Sequence, residues 1–160
     1  ENKFNYRFER LNITDLLHSA LGDLNYRMQE EQVTLDSNLE ENVFIVGDAY
    51  SLKQGMINLL DNAVAAVGGS GIIGVETSFN SVLQIVTLKI SDNGCGIPAE
   101  DKPRLFEPYF STKKSGTGLG LAIVSTIISD HNGYIRVRDN EPQGTHFIVE
   151  LPISTDTEQA

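Results

Sequence analysis

The hydrophobic residues of the chain recur with two different spacings, and each spacing predicts one kind of element. Apolar residues three and four positions apart predict helices over about 13–28 and 49–67, and a third from about 116 to 132. Apolar residues that alternate with polar ones predict strands. The predicted strands cover residues 4–11, 33–35, 43–46, 72–79, 82–92, 135–138 and 145–151.

The order of these elements indicates the fold class. Helices are interleaved with pairs of strands, which favours an α+β sandwich with helices on one face of a mixed sheet. A polar turn is expected at 37–42 and a hairpin turn at 80–81. We expect one domain over residues 1–154, in which 1–10 hold the end of a linker and the first strand, followed by a frayed tail at 155–160.

The composition narrows the class of protein. A chain of 160 residues with 40% hydrophobic residues can bury a core without disulfides or metals. The net charge of -10 argues against a basic nucleic-acid-binding surface. No apolar run approaches the roughly 18 residues of a membrane span, and the single cysteine fits a reducing, cytoplasmic compartment. Because the chain begins with Glu1 rather than Met, we expect it to be part of a longer protein.

Residues 86–92 end in a carboxylate on an otherwise apolar face. The last position on that face is Asp92, and a desolvated carboxylate is costly unless a donor reaches it. The exocyclic amine of a nucleobase could donate to Asp92, while Gly94 and Gly96 would let a ligand lie against the backbone. Thr145 sits similarly at the end of another strand. Alternation along the strands does not show that the two polar groups meet.

The second predicted helix carries Asn58 and Asn62 four residues apart, so both amides project from the same face. They lie at the boundary between the apolar and the exposed side, which suits the wall of a pocket. Amide oxygens can ligate a hard cation such as Mg²⁺ when phosphates complete its shell. The alternative is an asparagine pair that caps or solvates a surface ridge.

A glycine-rich segment opens the third predicted helix, with glycines at Gly116, Gly118 and Gly120. The first turn of a helix offers unpaired N–H groups and the positive end of its dipole, which together suit phosphate. Lys113 and Lys114 precede the glycines and are candidates to reach that phosphate. The segment lacks the ending of a Walker A loop, and the alternative is a flexible loop with a glycine-rich cap.

A long irregular stretch, about residues 97–118, precedes that helix and is either disordered or a functional lid. Its cations outnumber its acidic residues. These cations are Lys102, Arg104, Lys113 and Lys114. Its expected apolar anchors are Phe106, Pro108, Tyr109 and Phe110. A basic lid that closes over an anionic ligand explains both the charge and the anchors.

The cysteine and the histidines give weaker evidence of a functional site than the motifs above. Cys95 lies in a glycine turn without a base beside it in the sequence, so we interpret it as a small packing residue rather than a nucleophile. His18 falls off the apolar stripe of the first helix, His146 lies on the outer face of a strand, and His131 ends the third helix, where the dipole favours a cation. Three scattered histidines do not indicate a zinc site.

Five motifs occur in order along the chain. They are NLLDNA at 58–63, DNGCGIP at 92–98, LFEPYF at 105–110, GTGLGL at 116–121 and GT at 144–145. Together they resemble the N, G1, F and G2 boxes and the trailing Gly-Thr of sensor histidine kinases, over about residues 4–152, with the nitrogen-regulation type as the narrower likeness. The chain is therefore similar to the catalytic ATP-binding domains of the Bergerat (GHKL) fold.

This resemblance implies a mixed, mostly antiparallel sheet with helices on one face and a long ATP lid. Asp92 would hold the adenine amine with support from Thr145, Asn58 and Asn62 would hold Mg²⁺, and Asn58 and Lys113 would take part in catalysis. The implied ATP-binding residues are Asn58, Asn62, Asp92, Gly94, Gly96, Ile97, Phe106, Lys113, Gly116, Thr117, Gly118, Leu119, Gly120, Leu121 and Thr145.

The chain departs from the patterns of related proteins at two points, and both narrow the expected activity. Related ATPases of this fold, such as gyrase, the ninety-kilodalton heat-shock chaperone and the MutL proteins, carry a glutamate base in place of Asn58, and its absence disfavours hydrolysis. The phosphoacceptor histidine motif is also missing. The resemblance thus implies phosphoryl transfer from ATP to a histidine on a separate dimerisation domain, and then to an aspartate of a response regulator.

The fragment is expected to be a cytoplasmic monomer that binds no nucleic acid. Its full-length parent is expected to be a homodimer, either soluble or anchored in the inner membrane. Three alternatives stay open at this point: an ATP hydrolase of the same fold, a nucleotide-binding regulatory module without transfer activity, and an interaction domain that binds no nucleotide.

Overall fold

The computed structural model describes residues 5–110 and 120–153. In chain order the elements are β1 (Phe8–Asn12), α1 (Ile13–Glu30), β2 (Thr34–Leu39), β3 (Phe44–Asp48), α2 (Ala49–Val67), β4 (Ile72–Asn80), β5 (Ile85–Asp92), α3 (Gly120–Asp130), β6 (Tyr134–Asp139) and β7 (Thr145–Pro152). A short 3₁₀ turn, Lys102–Arg104, lies between β5 and α3. No helix within these described residues is long and apolar enough to cross a membrane.

Five strands form one sheet in the order β2-β4-β5-β7-β6. Strands β2 and β4 run parallel, and each of the other neighbouring pairs is antiparallel. Strands β1 and β3 form a separate antiparallel pair. Helix α2 packs between α1 and α3 and lies over β5. The predicted α+β sandwich with a mixed, mostly antiparallel sheet is confirmed.

The core lies between the helices and the inner face of the sheet. Alternate residues of β5 and β7 point into it, and their neighbours lie on the other face. The buried apolar residues of these two strands are Val86, Leu88, Ile90, Phe147, Val149 and Leu151. Helix α2 contributes Leu52, Met56, Leu59, Leu60, Ala63 and Val64 from one side. Asn58 and Asn62 lie outside this buried set and are half-buried.

Helix α2 begins and ends at the predicted residues because both of its ends are capped. The Asp48 carboxylate accepts a hydrogen bond from the backbone N–H of Ser51 at 2.8 Å, which satisfies one of the unpaired donors of the first turn. At the other end Gly68 takes a left-handed conformation with φ 61°. The caps fix the register of the helix face that carries the two asparagines.

Two strand boundaries differ from the predictions because the pairing partners set them. Strand β1 starts at Phe8, opposite Asp48, where β3 ends, so residues 5–7 have no strand to pair with. Strand β2 runs on to Leu39 through the predicted polar turn. Its backbone pairs with β4 at the sheet edge, and its polar side chains are mostly exposed there.

Two further boundaries move by a few residues. The turn between β4 and β5 spans 81–84, since the Asn80 side chain accepts from the backbone N–H groups of Val82 and Leu83, both at 3.0 Å. Helix α3 ends at Asp130, two residues before the predicted end. Its predicted start lies outside the described residues.

His131, just beyond α3, contacts three parts of the chain: the end of α3, the start of α2 and the segment that leads into β1. Its Nδ1 is 2.8 Å from the carbonyl oxygen of Ile127, and its Nε2 accepts from the backbone N–H of Asp48 at 3.0 Å. The Phe8 ring stacks on it at 4.9 Å between centroids, and Tyr6 meets it edge-on at 5.5 Å. The contacts require a neutral ring, because a protonated Nε2 would point a second N–H at that of Asp48.

The prediction that the helix dipole holds a cation at His131 is wrong. The side chain is 5% exposed, and burial lowers its pKa below 6.5 although the Ile127 carbonyl and the carboxylates of Asp48 and Asp130 act to raise it. Desolvation exceeds the stabilisation of a cation by the dipole and by these groups. His131 is therefore a neutral structural residue.

The stability of the fold should decrease as the pH falls below about 6.5, where unfolded histidine binds a proton. A lowered pKa in the folded state means that the folded chain takes up fewer protons in this range, so stability is lost with falling pH, by at most about 1.4 kcal/mol per pH unit for one proton. Urea unfolding of wild type and His131→Gln at pH 7.5, 6.5 and 5.5 measures the slope. Glutamine can still accept from Asp48.

The exposed His18→Gln serves as the matched control and should keep the wild-type slope. The pKa of His146 is also lowered by burial, so a smaller slope should persist in His131→Gln. Equal slopes in wild type and His131→Gln would contradict the assignment of the buried neutral ring.

Candidate functional site

Asp92 and Thr145 are brought together at the ends of β5 and β7. The antiparallel register places Asp92 directly opposite Thr145, and both side chains are 3% exposed. The backbone N–H of Gly94 donates to the Asp92 carboxylate at 2.9 Å, and the N–H of Thr145 also donates to it. Asp92 and Thr145 therefore belong to one site. Alternation along the two strands did not show that they meet.

The carboxylate of Asp92 retains the capacity to accept another donor. Burial raises its pKa, and the donations from Gly94 and Thr145, with the nearby charge of His146, lower it by less. A carboxylate offers about four lone-pair directions, so two N–H groups do not exhaust it. A further hydrogen-bond donor from a ligand would stabilise its ionised form.

The turn after Asp92 packs against the end of α2. A Cβ atom on Gly94 would lie 2.3 Å from the carbonyl oxygen of Ala66, so this helix by itself already requires glycine here, and the expected contact of Gly94 with a ligand stays a prediction. The N–H of Cys95 donates to the same Ala66 oxygen at 3.1 Å. Gly96 has φ 79°, a conformation that favours glycine.

A groove of about 390 Å³ opens beside this turn. One wall is the segment from Cys95 to Pro98, and the other is the loop between β6 and β7. Cys95 is exposed, so the interpretation of its side chain as a packed filler is wrong. The turn is held through its backbone and its glycines, and the thiol faces outward.

Asn58 lies where α2 meets the first residue of α3, and Asn62 follows four residues later on α2. The Asn58 Nδ2 donates to the Gly120 carbonyl at 3.4 Å, and its Oδ1 accepts from Gln54 at 3.5 Å. Both bonds are at the long end of the hydrogen-bond range. No hydrogen bond joins the Asn62 amide to another residue within the described part of the chain. An amide oxygen has two lone pairs, so that of Asn58 can accept a second partner. Leu121, which follows Gly120 at the start of α3, is half-buried.

The described part of the expected lid, residues 97–110, is anchored at fewer points than predicted. Leu105 is buried, Phe106 meets the Phe147 ring edge-on at 6.4 Å, and Phe110 is half-buried. Pro108 and Tyr109 are exposed, Tyr109 by 79%, and do not act as anchors. The anchors hold the beginning of the segment on the core.

Two of the predicted lid cations are engaged within the protein. Lys102 donates to the carbonyl of Ile97 at 2.9 Å and pairs with Asp139 at 2.9 Å. Arg104 pairs with Glu107 and lies over the Phe110 ring. They hold the segment in place and are not directed at Asn58 or Asn62 by any contact in the described structure. The other predicted residues of this region, Lys113, Lys114, Gly116, Thr117, Gly118 and Leu119, lie outside the described residues.

Sequence analysis missed the residues of the β6–β7 loop that touch the Asp92 turn. Asn140 and Gln143 both donate side-chain hydrogen bonds to it. The signal available in the sequence was the segment NEPQG at 140–144, which combines turn-forming residues immediately before Thr145. His146 lies on the outer face of β7 as predicted, 2.6 Å from the Ser91 hydroxyl.

Comparison with known proteins identifies the family. Residues 47–155 match the family described as histidine kinase-, DNA gyrase B-, and HSP90-like ATPase. The chain belongs to this family. The matched range includes Asn58, Asn62, Asp92 and Thr145, so the site described above lies within the family's domain.

Relatives are sensor histidine kinases. The chain is 34% identical over 146 residues to the sensor histidine kinase ZraS of Salmonella typhimurium, which covers 91% of this chain and 31% of that protein. It is 40% identical over 120 residues to the sensory histidine kinase/phosphatase NtrB of Rhodobacter capsulatus, covering 68% of this chain and 34% of NtrB. The chain thus spans about a third of the length of these relatives.

Solved structures share the fold. The catalytic domain of histidine kinase ThkA superposes with a TM-score of 0.84 at 31% identity, covering 92% of this chain and 96% of that one. ThkA in complex with response regulator protein TrrA gives 0.81 at 28% identity, covering 92% of this chain and 42% of that one. The ATP-binding fold predicted from the five motifs is confirmed.

Gly144→Ala should destabilise the fold by about 2 kcal/mol or more, because it combines backbone strain with a clash. Gly144 has φ 109°, and a Cβ there would lie 1.9 Å from the Asp92 carbonyl oxygen. Urea unfolding measures the loss. The control is Gly22→Ala in α1, where nothing lies within 4 Å of the added Cβ, and which should stabilise by about 0.5–1 kcal/mol. Equal stability of Gly144→Ala and wild type would contradict the close approach of the two strand ends.

Proposed function

We propose that the chain binds Mg²⁺-ATP and transfers the γ-phosphoryl group to a histidine on a separate phosphoacceptor domain. The observation that carries the proposal is the buried carboxylate of Asp92 beside Thr145, within a domain of an ATPase family whose relatives are sensor histidine kinases. The exocyclic amine of adenine would donate to Asp92. Gly96 and the Thr145 side chain would lie against the base.

The phosphate end of the site would form where α2 meets α3. Asn58 and Asn62 present neutral amide oxygens, and Gly120 lies beside Asn58. This donor set fits Mg²⁺, which favours oxygen ligands and relies on substrate phosphates to complete its shell. When bound, Mg²⁺ neutralises charge on the phosphates. Lys113 and Gly116 to Leu119 complete the phosphate site in this proposal.

The protein has little covalent chemistry to perform. The unprotonated ring nitrogen of the acceptor histidine attacks the γ-phosphorus, the bond from that phosphorus to the β-phosphate oxygen breaks, and ADP leaves while the other ring nitrogen loses its proton to solvent. The domain's task is to hold ATP in place at its base and its phosphates while the acceptor approaches. Asn58 supports transfer over hydrolysis, since a neutral amide cannot take a proton from water as a glutamate would.

The partners follow from this chemistry. Transfer requires the phosphoacceptor domain, and a response regulator would receive the phosphoryl group next, as the complex of ThkA with TrrA supports. We propose a cytoplasmic, monomeric domain that belongs to a homodimeric full-length kinase and binds no nucleic acid.

Replacement of Asp92 should weaken ATP binding. Asp92→Asn removes a charge-assisted acceptor, whose contribution of about 1.5–3 kcal/mol corresponds to a loss of affinity of about 10-fold or more. Calorimetric titration with Mg²⁺-ATP measures it. The control is Asp36→Asn, an exposed carboxylate on edge strand β2, which should bind like wild type. Wild-type affinity in Asp92→Asn would exclude Asp92 as the base contact.

The affinity of the wild-type chain for ATP should decrease as the pH is lowered toward the raised pKa of Asp92. Protonation removes the acceptor, and burial makes it occur at a higher pH than in an exposed aspartate. The titration is repeated between pH 7.5 and 5.0, within which the phosphates of ATP also gain a proton. Asp92→Asn corrects for that contribution, so the steeper decline in wild type is the expected result. Parallel declines would contradict the prediction.

Transfer itself is tested by mixing the chain with labelled ATP and the phosphoacceptor domain of a ZraS-type relative. The acceptor should become labelled, and Asn62→Ala should reduce labelling by weakening the phosphate site. If the relative's own catalytic domain labels this acceptor and the chain binds ATP without doing so, the chain is a regulatory module. Steady phosphate release without an acceptor would instead favour the hydrolase.

A further inference from the structure

The loop between β6 and β7 holds the turn that follows Asp92 with two side-chain amides. Asn140 Nδ2 donates to the backbone carbonyl of Asp92 at 2.8 Å, and Gln143 Nε2 donates to the carbonyl of Gly94 at 2.8 Å. Both bonds are partly buried. The two carbonyls belong to the residues before and after Asn93, so the loop holds the turn on both sides of that residue.

The loop is itself ordered by short hydrogen bonds. The Asn140 N–H donates to the carbonyl of Gly144 at 3.0 Å, and the Glu141 N–H donates to the Asn140 side-chain oxygen at 2.8 Å. The Asn140 amide therefore uses its oxygen to shape its own loop and its nitrogen to hold Asp92. Since both groups of the amide are engaged, its orientation is fixed.

This support comes where strand β7 no longer provides any, although β4 still does, through the Asn93 N–H that donates to the Ile72 carbonyl at 3.3 Å. The pair of Asp92 with Thr145 is the last of the β5–β7 ladder, so the backbone from Asn93 onward has no β7 partner. On its other side the turn is held by α2, through the Cys95 N–H. The amides replace the missing ladder bonds on the β7 side, and they act on the backbone that carries the Asp92 carboxylate.

We infer that Asn140 and Gln143 are positioning residues for base recognition. They hold the turn so that the Asp92 carboxylate is aimed at the exocyclic amine of a purine, and they thereby favour adenine over a purine with oxygen at that position. This inference rests on the proposed ATP-binding function. Each acts through the backbone carbonyl to which its amide donates, that of Asp92 or that of Gly94.

The test compares Asn140→Ala and Gln143→Met with wild type in binding ATP and inosine triphosphate, both with Mg²⁺. Inosine triphosphate carries an oxygen where ATP carries the amine. Each variant should lose about fivefold in affinity for ATP, the fold-change that one net hydrogen bond implies. Affinity for inosine triphosphate should change little. The ATP preference should therefore fall about fivefold.

The structure provides a matched control in Gln84→Met. Gln84 Nε2 donates to the Ser81 carbonyl at 2.8 Å, the same type of bond at the same length, in the β4–β5 turn at the opposite end of β5. This variant should keep the wild-type affinities for both nucleotides. A loss that is equal for the two nucleotides in Asn140→Ala and Gln143→Met would mean that the amides only stabilise the fold, and would overturn the inference.

A second measurement is independent of nucleotide. Cys95 is the single cysteine of the chain and is exposed in the same turn, so a trifluoromethyl label on its thiol reports on the turn by fluorine NMR. Wild type and Gln84→Met should give one resonance, and Asn140→Ala and Gln143→Met should give broadened or additional ones. Identical spectra in all four would show that the amides do not hold the turn, and would overturn the inference.

The two proposals fail in different ways. No binding of ATP by wild type overturns the proposed function together with the base preference inferred from it. Binding of ATP by wild type, with an unchanged ratio of the two affinities in Asn140→Ala and Gln143→Met, overturns the positioning role and leaves the proposed function standing.

Discussion

The rest of the site depends on keeping one carboxylate buried at the end of a strand. Asp92 is 3% exposed, and such a group is tolerated only where donors reach it. The sheet register supplies Thr145 opposite, and the turn supplies the N–H of Gly94. Gly144 must lack a side chain, because its backbone packs against the Asp92 carbonyl. The ends of β5 and β7, the turn after β5 and the loop between β6 and β7 are thus all arranged around Asp92.

Helix α2 connects the two ends of the site. Its last turn supports the turn after Asp92, where the Ala66 carbonyl accepts from the Cys95 N–H and excludes any side chain at Gly94. Its middle carries Asn58 and Asn62, the residues proposed for the phosphate end, outside the buried face of the helix. Because one helix carries both, its caps and its packing set where the two ends lie relative to each other.

Helix α3 is held near both of its ends by contacts with the start and the middle of α2. The Gly120 carbonyl accepts from Asn58, and His131 accepts from the backbone of Asp48, the cap of α2. Burial of His131 keeps its ring neutral, which is the state these contacts require. The dipole of α3 favours a cation at this end, and desolvation outweighs it. The same balance between desolvation and local donors sets the pKa of Asp92.

The sequence by itself determined the local structure and the chemical candidates. Periodicity fixed α2 to the residue, since its caps are next to it in the chain, and alternation placed Asp92 and Thr145 at the ends of buried faces. Only the tertiary structure decided that these two meet, that Asn140 and Gln143 hold the Asp92 turn, that Gly94 makes room for α2, and that His131 is buried. Periodicity reports which side of an element faces the core, whereas these contacts depend on strand register and on how closely distant segments approach, which no local pattern encodes.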